Sequence, residues 1–142
     1  MSRFRVIGLD HVHVFVRDRA AAARWYSSVL GFRRDPRFAS WAREIGGPLT
    51  LTAADDATHI ALFEDAERAG KATTVALRVD GESFAAFEKR IPKLPLFDRR
   101  RRPSPPRLQD HHLSLSLYFN DGDGNPIELT TYEVARARAK LK

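Results

Sequence analysis

The chain has no cysteine in its 142 residues. Disulfides, thiolate nucleophiles and Cys-rich zinc or iron–sulfur centres are therefore excluded. The cytoplasm is the default compartment for such a chain. Long apolar runs are missing too. No stretch approaches the roughly 20 residues of a membrane span, and Met1-Ser2-Arg3-Phe4-Arg5 lacks the apolar core of a signal peptide. Acidic residues are outnumbered, 18 against 24 Lys and Arg, for a net charge of +6. Much of the excess sits in Arg99-Arg100-Arg101-Arg102 and in the tail residues Arg136, Arg138, Lys140 and Lys142. Such runs are usually solvated loops and tails. With no helix-turn-helix and no Gly/aromatic interleaving, neither nucleic acid nor membrane is expected as a partner, although the Arg99–Arg102 run leaves an anionic partner open.

What is present suits a globular domain: 43% apolar and 30% charged residues. One domain spanning 1–142 is expected. The first strand, Leu9-Asp10-His11-Val12-His13-Val14-Phe15-Val16, alternates faces. Val12, Val14 and Val16 form a core face, while His11, His13 and Phe15 share the other. Asp18 then caps a helix from Arg19 to Leu30, with Ala22, Trp25, Tyr26, Val29 and Leu30 on one stripe and Gly31 as the stop. After the break at Asp35-Pro36, strands are expected over Phe38–Ile45, Leu49–Ala53 and Thr58–Glu64.

The pattern then starts again. Thr73–Val79 alternates as a strand, and Glu82–Ile91 has helical spacing. Leu96–Asp98 makes a short strand, and Arg99–Gln109, with Pro103, Pro105 and Pro106, is expected as a surface loop. His112–Phe119 is a strand, Asp121-Gly122-Asp123-Gly124-Asn125 a hairpin turn, and Pro126–Tyr132 the last strand. A short helix or tail follows from Glu133. The order is two βαβββ modules, about 6–65 and 72–133. That predicts an α+β fold, a curved mixed sheet around a cleft. A His strand and a Glu128 strand meeting in that cleft would provide a metal site or an acid/base site.

Three segments carry a family resemblance: Gly8-Leu9-Asp10-His11-Val12-His13-Val14-Phe15-Val16-Arg17-Asp18, Trp25-Tyr26-Ser27-Ser28-Val29-Leu30-Gly31-Phe32, and Leu117-Tyr118-Phe119-Asn120-Asp121-Gly122-Asp123-Gly124-Asn125-Pro126-Ile127-Glu128-Leu129. In this order they resemble the vicinal oxygen chelate superfamily, which contains glyoxalases, extradiol dioxygenases, fosfomycin-resistance enzymes and bleomycin-binding proteins. The resemblance implies four metal-ligand positions, which fall on His11, Ala61, Thr74 and Glu128. Ala61 has no donor, and Thr74 is a poor ligand for zinc, iron or manganese. A displaced set of His11, His59 and Glu128 restores two imidazoles and a carboxylate, with His111 or His112 available to complete it.

Two functions follow from the resemblance. One is a glyoxalase- or dioxygenase-like enzyme holding a divalent metal (Zn, Mn, Fe or Ni), with Glu128 as the proton-moving catalytic group. The other is a metal-free, bleomycin-resistance-like protein that binds a small molecule without chemistry. In both, His13, Thr74, Tyr118 and Tyr132 are expected to line the cleft, the partner is a small molecule, and the assembly is a homodimer.

Overall fold

The computed structural model describes residues 3–141. Strand β1 is His11–Val16 and helix α1 is Arg19–Leu30. The Asp18 carboxylate accepts from the Ala21 N–H, satisfying one of the unpaired donors of the first turn. Gly31, at φ 76°, closes the helix, a left-handed conformation that suits glycine.

The segment after α1 departs from expectation. Phe38–Ile45 is not a strand. Asp35 accepts from the Arg37 N–H and caps a 3-10 turn over Pro36–Phe38, which runs into the short helix α2, Ala39–Arg43. Pro36 has its φ preset for a first helical position, and no β-branched residue occurs before Ile45 to favour an extended chain. The strand role passes to β2, Arg33–Arg34. Strands β3 (Leu49–Thr52) and β4 (His59–Glu64) complete the first set.

In the second half, β5 is Val75–Arg78 and α3 is Gly81–Arg90. Leu96–Asp98 is reduced to isolated bridges from Phe97 to Pro103 and Asn120. The paired strand here is β6, Arg107–Asp110, inside the stretch expected as loop. The cause is local. Asp98 accepts from the Arg100 and Arg102 N–H groups and folds the arginine run into a turn. The three prolines that follow have no N–H to give, so a ladder resumes only beyond them. Strand β7 is Leu115–Asn120, β8 is Pro126–Thr131, and α4 is Val134–Leu141. His111 and His112 therefore sit in the β6–β7 turn, with His112 at φ 70°, and do not alternate along a strand.

The chain divides into two compact units, one of residues up to 14 with 18–64, the other of 15–17 with 65 onwards. Each set of four strands forms an open sheet, ordered β1-β4-β3-β2 and β5-β8-β7-β6. The repeated order is that of two like α+β modules. In the first unit, Leu51 pairs with Ile60 and Leu49 with Leu62. The Glu64 carboxylate accepts from Arg19 N at the start of α1, so α1 lies on the Ile60/Leu62/Glu64 face. Tyr26, Val29, Leu51, Ile60 and Leu62 are buried there.

In the second unit, Phe119 stacks on Phe87 of α3, with ring centres 5.5 Å apart. Leu117, Ile127 and Leu129 share that apolar face by register. Helix α4 crosses α3 at Gly81. A Cβ there would stand 2.8 Å from the Ala137 N and the Glu133 carbonyl, so the close approach requires glycine.

Candidate functional site

With the apolar faces covered by helices, the polar faces of the two sheets carry the candidate chemistry. In the first unit this face is set by alternation. Thr52 stands opposite His59 and Thr50 opposite Ala61, while Arg33 stands opposite Thr52 on the other side. His59 is 8% exposed, and its Nδ1 lies 2.9 Å from the Thr52 Oγ1. That hydroxyl donates to Asp35 Oδ2 at 2.7 Å. Arg37 clamps Asp35 through its main-chain N–H, Nε and Nη2, and Arg33 stands 3.6 Å away. The Arg37 guanidinium first, and the Thr52 hydroxyl second, hold the Asp35 carboxyl well below the usual carboxylate range.

The same Asp35 cap places two aromatic rings. Phe38, at the end of the capped turn, meets the His59 ring edge-on at 5.3 Å and stacks on Trp41 of α2 at 4.8 Å. Trp41 is 45% exposed. The half-buried Arg19 guanidinium ties α2 down by donating to the Ala42 and Gly47 carbonyls. Thr50 is 5% exposed, and its hydroxyl oxygen is buried without a hydrogen-bond partner among the described residues. Ala61 lies across the strand from it. The result is a stacked aromatic pair beside a histidine with a fixed orientation and an unsatisfied hydroxyl.

On β1 the exposed His11 and His13 rings stack at 5.0 Å with their Nε2 atoms 3.0 Å apart. Asp10 accepts from His11 Nδ1 at 2.7 Å. The His13 ring also meets Phe63 at 4.7 Å, which puts it on the His59/Ala61/Phe63 side of β4.

In the second unit, Glu128 lies opposite Tyr118 and Ala76. Its Oε2 accepts from Ser116 Oγ at 2.8 Å. The Tyr118 hydroxyl is 2.9 Å from His111 Nε2, and Arg107 stacks over the Tyr118 ring. Thr74 and Tyr132 are exposed, with Arg78 over the Tyr132 ring.

Of the residues singled out from the sequence, the structure brings His11 to His13, His111 to Tyr118, and Tyr118 beside Glu128. His59 meets Thr52 and Phe38 instead of another metal donor. Among the described residues of either unit, no three His, Asp or Glu gather closely enough to hold a metal ion. The family donor set implied above therefore does not fit these residues in full, since Ala61 and Thr74 replace two donors. Sequence reasoning missed Asp35, Thr50, Thr52 and Phe38. The available signal was the alternation of Leu49 and Leu51 with Thr50 and Thr52, which marks a second polar-faced strand.

A model of the Glyoxalase/Bleomycin resistance protein/Dioxygenase superfamily matches residues 8–129. No curated protein sequence matches the chain. Several solved structures share the fold. The fosfomycin resistance protein FosX from Listeria monocytogenes, in a form complexed with Mn(II) and sulfate, is 16% identical at a TM-score of 0.65, covering 97% of this chain and all (100%) of that one. TnmS3, an antibiotic binding protein from Streptomyces sp. CB03234, is 18% identical at 0.67, covering 91% and 98%. The oxidase ChaP-H1 is 22% identical at 0.64, covering 89% and 96%.

Proposed function

This chain belongs to the glyoxalase/bleomycin resistance protein/dioxygenase superfamily, and from that premise we propose that it is a small-molecule-binding member that works without a metal. Its ligand is a planar aromatic molecule, taken on the polar face of the first unit. The observation that carries this is Ala61. A methyl group stands where the family resemblance puts a metal donor, and the groups around it are those of a recognition surface. Trp41, stacked on Phe38 on one side and half exposed, offers a ring face. His59, its ring held by Thr52, offers a polar atom to orient what they hold. A few fixed polar groups beside aromatic walls is the usual make-up of a small-molecule site. TnmS3, described as an antibiotic binding protein, gives a precedent for binding on this fold. A small molecule, not nucleic acid or membrane, is then the partner, and a homodimer is the expected assembly.

The test is binding of 2-naphthol and 4-hydroxybiphenyl to protein stripped with a chelator. Saturable binding unchanged by the chelator supports the reading. Binding that appears only after a divalent ion is added contradicts it.

One observation favours a second reading. The His11 and His13 Nε2 atoms converge to 3.0 Å, near the ~3.3 Å that two ligands span on a tetrahedral ion with bonds of about 2.0 Å. In that reading a divalent cation is held at His11 and His13 of the first unit and would supply Lewis acidity toward a substrate oxygen. FosX complexed with Mn(II) is the relevant precedent. About one metal per chain in purified, tag-free protein, lost in His11→Ala, would establish it.

A further inference from the structure

The order of hydrogen bonds from Asp35 through Thr52 to His59 fixes where one proton sits. An ionised carboxylate only accepts. Asp35 is clamped by Arg37 and lies within 3.6 Å of Arg33, so it is ionised and offers no proton to Thr52. The 2.7 Å contact between them therefore uses the single hydroxyl hydrogen of Thr52. With that hydrogen spent, the 2.9 Å contact from Thr52 to His59 Nδ1 has to be an N–H donated by the imidazole. A neutral imidazole with its hydrogen on Nδ1 has a bare lone pair on Nε2.

That Nε2 makes no hydrogen bond among the described residues. It is also absent from the fully enclosed side-chain atoms that lack a partner, which are Thr50 Oγ1 and Glu88 Oε1. It therefore keeps an opening to solvent although the residue is more than nine-tenths buried. An unpaired lone pair with an opening to solvent, beside stacked rings, is complementary to a ligand that brings a donor.

We propose that His59 Nε2 is the acceptor that selects the ligand, and that it takes an O–H or N–H attached to an aromatic ring, such as a phenol. Asp35 and Thr52 are positioning residues. They hold the tautomer and ring orientation, as groups behind a histidine commonly do. The proposal rests on the small-molecule reading above and adds the chemical class of the ligand and the atom that recognises it.

Two measurements test it on the full-length protein. The first is ¹⁵N NMR of the His59 ring without ligand. The expected result is a protonated, pyrrole-type Nδ1 and a pyridine-type Nε2. Thr52→Val should mix the tautomers, and Thr52→Ser, which keeps the hydroxyl, should restore the wild-type pattern. A wild-type ring protonated on Nε2 overturns the proposal. The second is binding of 2-naphthol and 4-hydroxybiphenyl, each against its O-methyl ether. The phenols should bind roughly tenfold more tightly than the ethers, the size of one well-made hydrogen bond. Thr52→Val and His59→Phe should each erase that preference, and Thr52→Ser should retain it. Equal affinity for phenol and ether in the wild type overturns the acceptor role while leaving the small-molecule reading intact. No binding of either overturns both.

Discussion

Thr52 and His59 face each other across β3 and β4, with the threonine hydroxyl 2.9 Å from Nδ1 and its own hydrogen committed to Asp35. The contact links a strand register to a charge. Shifting β3 by one residue would send Thr52 to the α1 face and leave both His59 and Asp35 without this partner.

Acid stability should follow from Asp35. Its folded pKa is depressed, by Arg37 first and Thr52 second. The associated stability is fully present above the unfolded carboxylate value of about 3.9 and is lost as pH falls through the folded value. The melting temperature of the wild type should therefore drop more steeply below pH 4 than that of Asp35→Asn. Parallel curves for the two proteins would contradict this.

Glu88 carries the opposite sign. Burial raises its pKa, and one of its carboxylate oxygens has no partner among the described residues. The folded state prefers the protonated form, so stability is present below the unfolded value and is lost as pH rises through the folded one. Glu88→Gln should melt higher than the wild type at pH 7 and gain nothing below pH 4, as read by thermal denaturation at the two pH values.

Gly47 fixes the position of α2. A Cβ there would lie 2.0 Å from the Trp41 carbonyl oxygen, a backbone atom with no flexible end to move aside. Gly47→Ala should cost about 1–3 kcal/mol, the range for forced overpacking, measured by urea denaturation. It should also change Trp41 fluorescence and weaken 2-naphthol binding, because the Phe38–Trp41 stack shifts with the helix.

Asn125 joins the second-unit hairpin to two other segments. Buried at 2% exposure, it donates to the Phe15 and Asp121 oxygens and accepts from Gly70 N. Asn125→Ala removes these three hydrogen bonds and should cost about 1–3 kcal/mol in chemical denaturation.

The parts of the fold that were legible in the sequence are those dictated by local chemistry. Asp18 and Gly31 bound α1 because a cap and a left-handed stop are properties of single residues. The Asp121–Asn125 turn and the β8 strand were visible for the same reason. The second strand of each module was not. Arg33–Arg34 is too short to show a period, and Arg107–Asp110 hides behind three prolines and becomes a strand only because β7 pairs with it. Within the site, His59 stood out by residue type alone. Its support did not, since Asp35, 17 residues from Thr52, looked like a helix breaker, and only the sheet register gives it a partner. Ala61 was informative for what it lacks.

In the proposed complex a small aromatic donor binds the Thr52–His59 face without a metal. The most direct measurement is amide and indole chemical-shift mapping during a 2-naphthol titration of chelator-treated protein. Saturable shifts centred on Thr50, Thr52, His59 and the Trp41 indole are expected. Shifts centred on Tyr118 and Glu128, or none until a divalent cation is added, would contradict it.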